Sequence, residues 1–279
     1  MNGFILVNKK SGVSSNFVVQ EIKKKIKAKK VGHLGTLDPL ASGLLILAIN
    51  RATKFSSYFL ESDKSYDVEV EFGVSTDTDD STGKIIYQSN NYPSKLSIKN
   101  ELESLVGDSL QVPPFFSALK HKGKPLYKYA REGTFVTKPA RKITVKNIES
   151  LNIDNKTCSF RIHCSKGTYI RSIARDIGER LECGAHMKSL IRISQGDFNI
   201  LKAKSSSDIF EEDIISIEDA FKNLEKIKIQ QNDEKKFING VTTPGFNFKD
   251  ALYKIFNEKN TFLGIGEIKT NNLRHKQLV

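Results

Sequence analysis

Tryptophan is absent from this 279-residue sequence, cysteine occurs three times, methionine twice and proline seven times, and acidic residues are outnumbered by basic ones, 32 to 44. Each shortage narrows the possibilities. Cys158, Cys164 and Cys183 form no Cys-x-x-Cys pair and no cluster with histidine at ligand spacing, which argues against a disulfide-stapled scaffold or a zinc site. They read as reduced, buried small residues. Cys158 and Cys164 alternate with Phe160 and Ile162 in one strand, which holds them roughly 20 Å apart, too far for a bridge. No apolar run approaches the ~20 residues that a membrane-spanning helix needs, and the segment from Phe4 to Val7 is too short for a secretory core, so a soluble cytoplasmic protein without membrane contact is expected. The shortage of acid leaves a formal charge of +12, and a surplus of that size points to a polyanionic partner.

What is present concentrates between Gly32 and Gly43, which reads Gly-His-Leu-Gly-Thr-Leu-Asp-Pro-Leu-Ala-Ser-Gly. Pro39 biases Asp38 towards an extended backbone, and the glycines permit tight turns or close approach of a ligand. Such a loop can hold a carboxylate at an open surface, ahead of the buried strand expected over residues 44–49. Upstream, Ser14 or Ser15 can cap a helix that buries Val18, Ile22 and Ile26 and turns six lysines outward. Tyr66, Val68, Val70 and Phe72 alternate with Asp67, Glu69 and Glu71, which predicts a half-buried strand with the Tyr66 ring on the covered face. The segment from Thr76 to Gly83 holds three aspartates, but its spacing is wrong for a calcium loop, so it reads as a turn. A short helix is expected over residues 98–106, stopped by Gly107.

The segment from Pro113 to Arg131 interleaves Phe115, Phe116, Tyr127 and Tyr129 with lysines and Arg131, a composition that suits a nucleic-acid clamp. Thr168 is placed to cap a helix over residues 169–181 whose buried stripe is Ile170, Ile173, Ile177 and Leu181. Arg171 falls in the first turn and off that stripe, where a cation opposes the helix dipole by a few tenths of a kcal/mol up to about 1 kcal/mol. A local misfit of that kind marks a position serving something other than its own helix. Residues 202–221 read as an acidic connecting stretch, and residues 227–279 as a small β-rich module with turns at Gly240, Pro244-Gly245 and Gly264.

Five segments in this order resemble the bacterial tRNA pseudouridine synthase B family: Gly32 to Gly43, Lys64-Ser65-Tyr66, Val112 to Gly133, Gly167-Thr168-Tyr169-Ile170-Arg171, and Cys183 to Leu190. The sequence departs from the family pattern at Lys10, where proline is usual, and at Leu34, where threonine is usual. The C-terminal match rests on residues 262–267 and 274–279. The resemblance implies a mixed α/β (α+β) pseudouridine synthase fold with a central antiparallel-rich sheet. It also implies a catalytic domain over residues 1–221, an RNA-gripping insertion at about 115–142, and a PUA-like module over 222–279. The implied substrate is the T-loop uridine (tRNA position 55) of the tRNA T-arm stem-loop. Isomerising it breaks the ribose–N1 bond and rejoins ribose to C5, with no cofactor or metal required, and a monomer is expected.

Asp38 is the carboxylate expected to act, attacking ribose C1′ or removing the C2′ proton, and Arg171, unfavourable at its own helix start, is expected to pair with it. Tyr66, on the covered face of its strand, is expected to stack on the base and relay the C5 proton; by the same resemblance His33 packs against displaced nucleotides, and Tyr66 and Tyr169 with Leu190 hold the flipped base. Lys64 is expected in structural or phosphate contacts, and His163 and His186 in neither catalysis nor metal binding. Two other readings fit the same charge and aromatics: a non-catalytic RNA-folding protein, and a synthase acting on another RNA.

Overall fold

The computed structural model describes residues 1–154 and 156–279. In chain order its elements are β1 (Gly3–Lys9), α1 (Ser15–Lys25), β2 (Val31–His33), β3 (Ser42–Ile49), α2 (Ser56–Leu60), β4 (Lys64–Phe72), β5 (Val74–Thr76), β6 (Ile85–Gln88), α3 (Lys95–Ser104) and β7 (Gly107–Gln111). There follow β8 (Lys120–His121), β9 (Lys124–Pro125), α4 (Leu126–Arg131), β10 (Arg141–Ile153), β11 (Thr157–Cys164), α5 (Ile170–Arg180), β12 (Ala185–Gln195), β13 (Phe198–Asn199), β14 (Ile215–Ser216) and α6 (Ile217–Ala220). The remainder is β15 (Lys226–Lys228), α7 (Gln231–Ile238), β16 (Thr243–Pro244), β17 (Ala251–Phe256), β18 (Phe262–Lys269) and β19 (Asn272–Leu278).

The main sheet runs β14-β1-β3-β12-β4-β11-β10-β7, with β2 added to β3 and β13 to β12. The sheet is antiparallel-rich as expected: among the described residues the one parallel pair of its strands is β3 with β12, at Ser42–Ile191 and Gly43–Arg192. That contact brings the start of β3, and so the loop ahead of it, beside the middle of β12.

The alternation read from sequence governs the packing. On β4, Tyr66, Val68, Val70 and Phe72 are buried, while Asp67 pairs with Arg161, and Glu69 and Glu71 with Lys188, on the other face. From Gly43 onward β3 is buried on both faces. Leu45, Leu47 and Ile49 join the core beneath α1, α3 and α5, while Leu44, Ile46 and Ala48 join a second core of Phe4, Phe55, Phe59, Phe198 and Phe221. Each fully buried leucine, isoleucine or phenylalanine among them contributes roughly 1.5–3 kcal/mol of transfer free energy.

Several expectations need correction at their edges. Ser14 caps α1 by accepting from Phe17 N, whereas Ser15 is used elsewhere. The third helix begins at Lys95, capped by Ser94, and Gly107 opens β7 directly. Thr168 does not cap α5: its hydroxyl donates to Ser165 O, Tyr169 occupies the cap position, and the buried Gln111 amide brackets Tyr169 by accepting from its N–H and donating to its carbonyl. Residues 202–221 form short 3₁₀ turns and α6. The C-terminal segment is a five-stranded sheet, β15-β17-β18-β19-β16, covered by a helix that the strand pattern did not announce, α7, through Phe237.

Candidate active site

The loop between β2 and β3 is held from three sides. Gly35 and Gly43 adopt left-handed backbone, φ +132° and +96°. The Ser15 hydroxyl donates to Leu37 O and accepts from Leu37 N, both at 2.8 Å, which ties α1 to the residue before Asp38. Lys9, almost fully buried at the end of β1, donates its ammonium to Val13 O, Lys10 O and Pro39 O, the last of these just beyond Asp38. Burial lowers its pKa to about 8, against an opposing pull from Asp38.

Arg171 meets this loop. Its Nε donates to Asp38 Oδ2 at 2.9 Å, its Nη1 to Thr78 O at 3.0 Å and its Nη2 to Phe116 O at 2.8 Å. Asp80 Oδ2 lies 3.8 Å from the same Nε. The arginine expected off the buried stripe is itself buried, 4% exposed, because the aspartate-rich turn and the insertion close over it. The turn is a knot around Asp80, whose carboxylate accepts from the Thr78 and Thr82 hydroxyls and Thr82 N. Asp38 stays open, its side chain 34% exposed.

Two cavities adjoin this ion pair and share Asp38, Arg171 and Ser117 in their walls. The first, of about 330 Å³, is lined by Tyr66, Tyr169, Leu190, Met187, Lys64 and Arg192 among others. Flat and aliphatic walls around a few polar groups suit one planar heterocycle. The Tyr66 hydroxyl meets the Arg192 guanidinium, and burial pushes its pKa up to about 12. Lys64 is buried with its ammonium on Leu60 O and Ser62 O, and burial lowers its pKa to about 8. The second cavity, of about 570 Å³, is lined by His33, Pro39, Asp80, Phe116, Tyr127 and Arg131 among others. His33 therefore stands apart from Tyr66, Tyr169 and Leu190, across the Asp38–Arg171 pair. Burial, and next the charge of Arg192, lower its pKa and favour the neutral imidazole.

Four buried polar atoms in these walls lack a hydrogen-bond partner: His33 Nδ1, Ser117 Oγ, and Nε and Nη2 of Arg141, whose guanidinium lies 4.6 Å from the Tyr169 ring centroid. Unpaired polar atoms of this kind are rare in folded interiors, and each calls for an explanation such as a ligand that completes the bonding. His163 and His186 lie elsewhere, on Ser65 Oγ and Val74 O.

Sequence reading alone did not single out Asp80, Arg141, Arg192 or Ser117. Asp80 was visible only as one of three turn aspartates, and Arg192 lies in a strand of mixed polarity whose Lys188 and Ile191 are exposed, where one more charge draws no attention.

The profile of the TruB family pseudouridylate synthase (N terminal domain) matches residues 23–170, and that of the tRNA pseudouridylate synthase B C-terminal domain matches residues 171–227. The tRNA pseudouridine synthase B of Clostridium kluyveri is 40% identical over 275 residues, covering 95% of each chain, and that of Clostridium novyi is 40% identical over the whole of both. That of Blochmanniella floridana is 50% identical over 71% of this chain and 78% of its own. Among solved structures, an H/ACA RNP bound to a substrate RNA containing 2′-deoxyuridine includes a chain of the same fold, at TM-score 0.72 and 23% identity, covering 99% of this chain and 84% of that one. An archaeal box H/ACA sRNP Nop10-Cbf5 complex does likewise, at TM-score 0.72 and 24% identity, covering 99% and 85%. Full-length likeness near 40% identity, together with two family profiles in consecutive register, establishes that the chain belongs to the TruB family of pseudouridylate synthases.

Proposed function

We propose that this chain isomerises the T-loop uridine of tRNA, at position 55, to pseudouridine. The observation that carries the reading is the Asp38–Arg171 pair standing in the wall shared by a flat-sided cavity and a second, larger one. The relatives named tRNA pseudouridine synthase B support the choice of RNA. In this reading the target nucleotide leaves its stack, at a cost of a few kcal/mol, and its base enters the smaller cavity between Tyr66, Tyr169 and Leu190. His33, neutral in the adjoining cavity, packs against the displaced neighbours.

Arg171 holds Asp38 by Oδ2 and leaves Oδ1 to face the ribose. The carboxylate attacks C1′ or takes the C2′ proton, the base turns, and C5 joins C1′. Tyr66, stacked on the ring, passes on the C5 proton. The isomerisation needs no redox step and no hydrolysis, hence no cofactor or metal. The segment at 115–142 grips the T arm, residues 1–221 form the synthase domain, and residues 222–279 form a PUA-like RNA-binding module of a cytoplasmic monomer.

The test is release of tritium from a T-arm stem-loop labelled at uracil C5. Wild type releases it and Asp38→Asn does not, while both bind the RNA. Binding without release by the wild-type protein would instead favour an RNA-folding protein.

A further inference from the structure

We propose that Arg192 is the cation that holds the detached uracil as an anion inside the smaller cavity, an inference that rests on the uridine isomerisation proposed above. Arg192 is 1% exposed and stands directly opposite Tyr66 in the register of β12 against β4. Its Nε donates to Leu44 O at 2.7 Å and its Nη2 to Gly35 O at 3.0 Å. These anchors fix the guanidinium in the cavity wall. Gly35 turns its carbonyl to the guanidinium in a left-handed conformation, φ +132°.

What Arg192 lacks is an anion. Among the described residues no carboxylate pairs with it, and the two carboxylates of the site, Asp38 and Asp80, both face Arg171. A guanidinium buried without a counter-charge is costly. Its field also reaches Lys9, Lys64 and His33 and disfavours the protonated form of each. The Arg192 guanidinium thus stands in the cavity wall as a cation without a carboxylate of its own.

The reaction supplies the missing charge. When the C1′–N1 bond breaks, its electron pair leaves with the base, and the negative charge spreads over N1, O2 and O4. Asp38 meanwhile either forms a bond to C1′ or takes the C2′ proton. After the base turns, an electron pair from the ring forms the C5–C1′ bond, and Asp38 is released or returns the C2′ proton. The proton on C5 is then lost and N1 gains one, so the composition is unchanged. A cation anchored to two backbone carbonyls stays with the base through this turn and does not collapse onto Asp38, a preorganised arrangement of the kind that stabilises developing charge. The planar guanidinium, with donors to spare, suits this better than a lysine ammonium.

The experiment compares wild type, Arg192→Gln and Arg192→Lys under single turnover at saturating stem-loop. One substrate carries C5-tritiated uridine, and a second carries 5-fluorouridine at the target, followed by loss of that nucleoside. Fluorine stabilises the departing anion, so a residue that stabilises the same charge matters less. Expected are a fall on the order of 100-fold in Arg192→Gln with RNA affinity near wild type, and recovery of at least about tenfold in Arg192→Lys. The deficit of each variant should shrink severalfold on 5-fluorouridine. Equal deficits on the two substrates, or Arg192→Lys no better than Arg192→Gln, would overturn the inference. If Arg192→Gln fails to fold, the substrate ratio of Arg192→Lys alone decides. An active wild type with an equally active Arg192→Gln defeats this inference only, whereas a wild type that releases no tritium defeats the isomerase reading as well.

Discussion

Arg171 joins four parts of the chain that are distant in sequence: its own helix, the Asp38 loop, the aspartate-rich turn through Thr78 and Asp80, and the insertion through Phe116. Its removal leaves Asp80 buried without a cation and two carbonyls without donors, a loss of roughly 3 kcal/mol or more. Arg171→Ala is therefore expected to lower the unfolding free energy by about that amount in a denaturant titration, and turnover at least about 100-fold through the loosened carboxylate. Near-normal tritium release from a folded Arg171→Ala would remove Arg171 from the mechanism. The place of this residue was legible because a cation at a helix start is locally unfavourable and implies an anion nearby. Tyr66 was legible because strict alternation fixed its face. Lys9 was not, since beside Lys10 it looks like any surface lysine, and only the three carbonyls that β1 brings around its ammonium reveal its buried role.

The element that organises the site is β12, antiparallel to β4 and parallel to β3 over two residue pairs. Registry of this kind was not legible: the sequence marked residues 183–190 by motif, but which strands flank them depends on pairings across more than a hundred residues. That is why Arg192, whose partners Leu44 and Gly35 lie 148 and 157 residues away, escaped notice. Gly43 was read as a residue that allows close approach, and the structure shows what approaches. With φ +96°, a Cβ there would stand 2.5 Å from Arg192 O and 2.8 Å from Arg192 N. Gly43→Ala combines left-handed strain with that clash, so a loss of roughly 2–3 kcal/mol is expected, read as a lower denaturant midpoint at unchanged slope. Unchanged stability would mean that the β3–β12 contact yields easily and does not hold the cavity wall.

At the scale of the whole molecule, charge and hydrophobic burial follow separate plans. The +12 surplus is carried largely by exposed lysines, and it prepares a surface for a polyanion whatever happens beneath. Beneath, the small C-terminal module is attached through the core. Ile265 of β18 is fully buried in the same cluster as Phe4, Leu34 and Phe55, with Leu252, Phe262 and Val279 packed against it. Arg51 Nη1 also donates to Val279 O, at 3.4 Å. Sequence punctuation at Gly240 and Pro244 suggested a separate unit, but turn signals report where a chain bends and say nothing of what its strands cover. Burying Ile265 alone is worth roughly 1.5–3 kcal/mol, which in a domain of this size corresponds to about 3–12 °C in melting temperature. Residues 1–221 expressed alone should therefore melt at least about 3 °C below the full chain, and the full chain should unfold in one calorimetric transition. Two transitions in the full chain, with the first 221 residues melting where the larger unit does, would show that the module rides on the synthase body without supporting it, and its contribution would then have to be sought in RNA affinity alone.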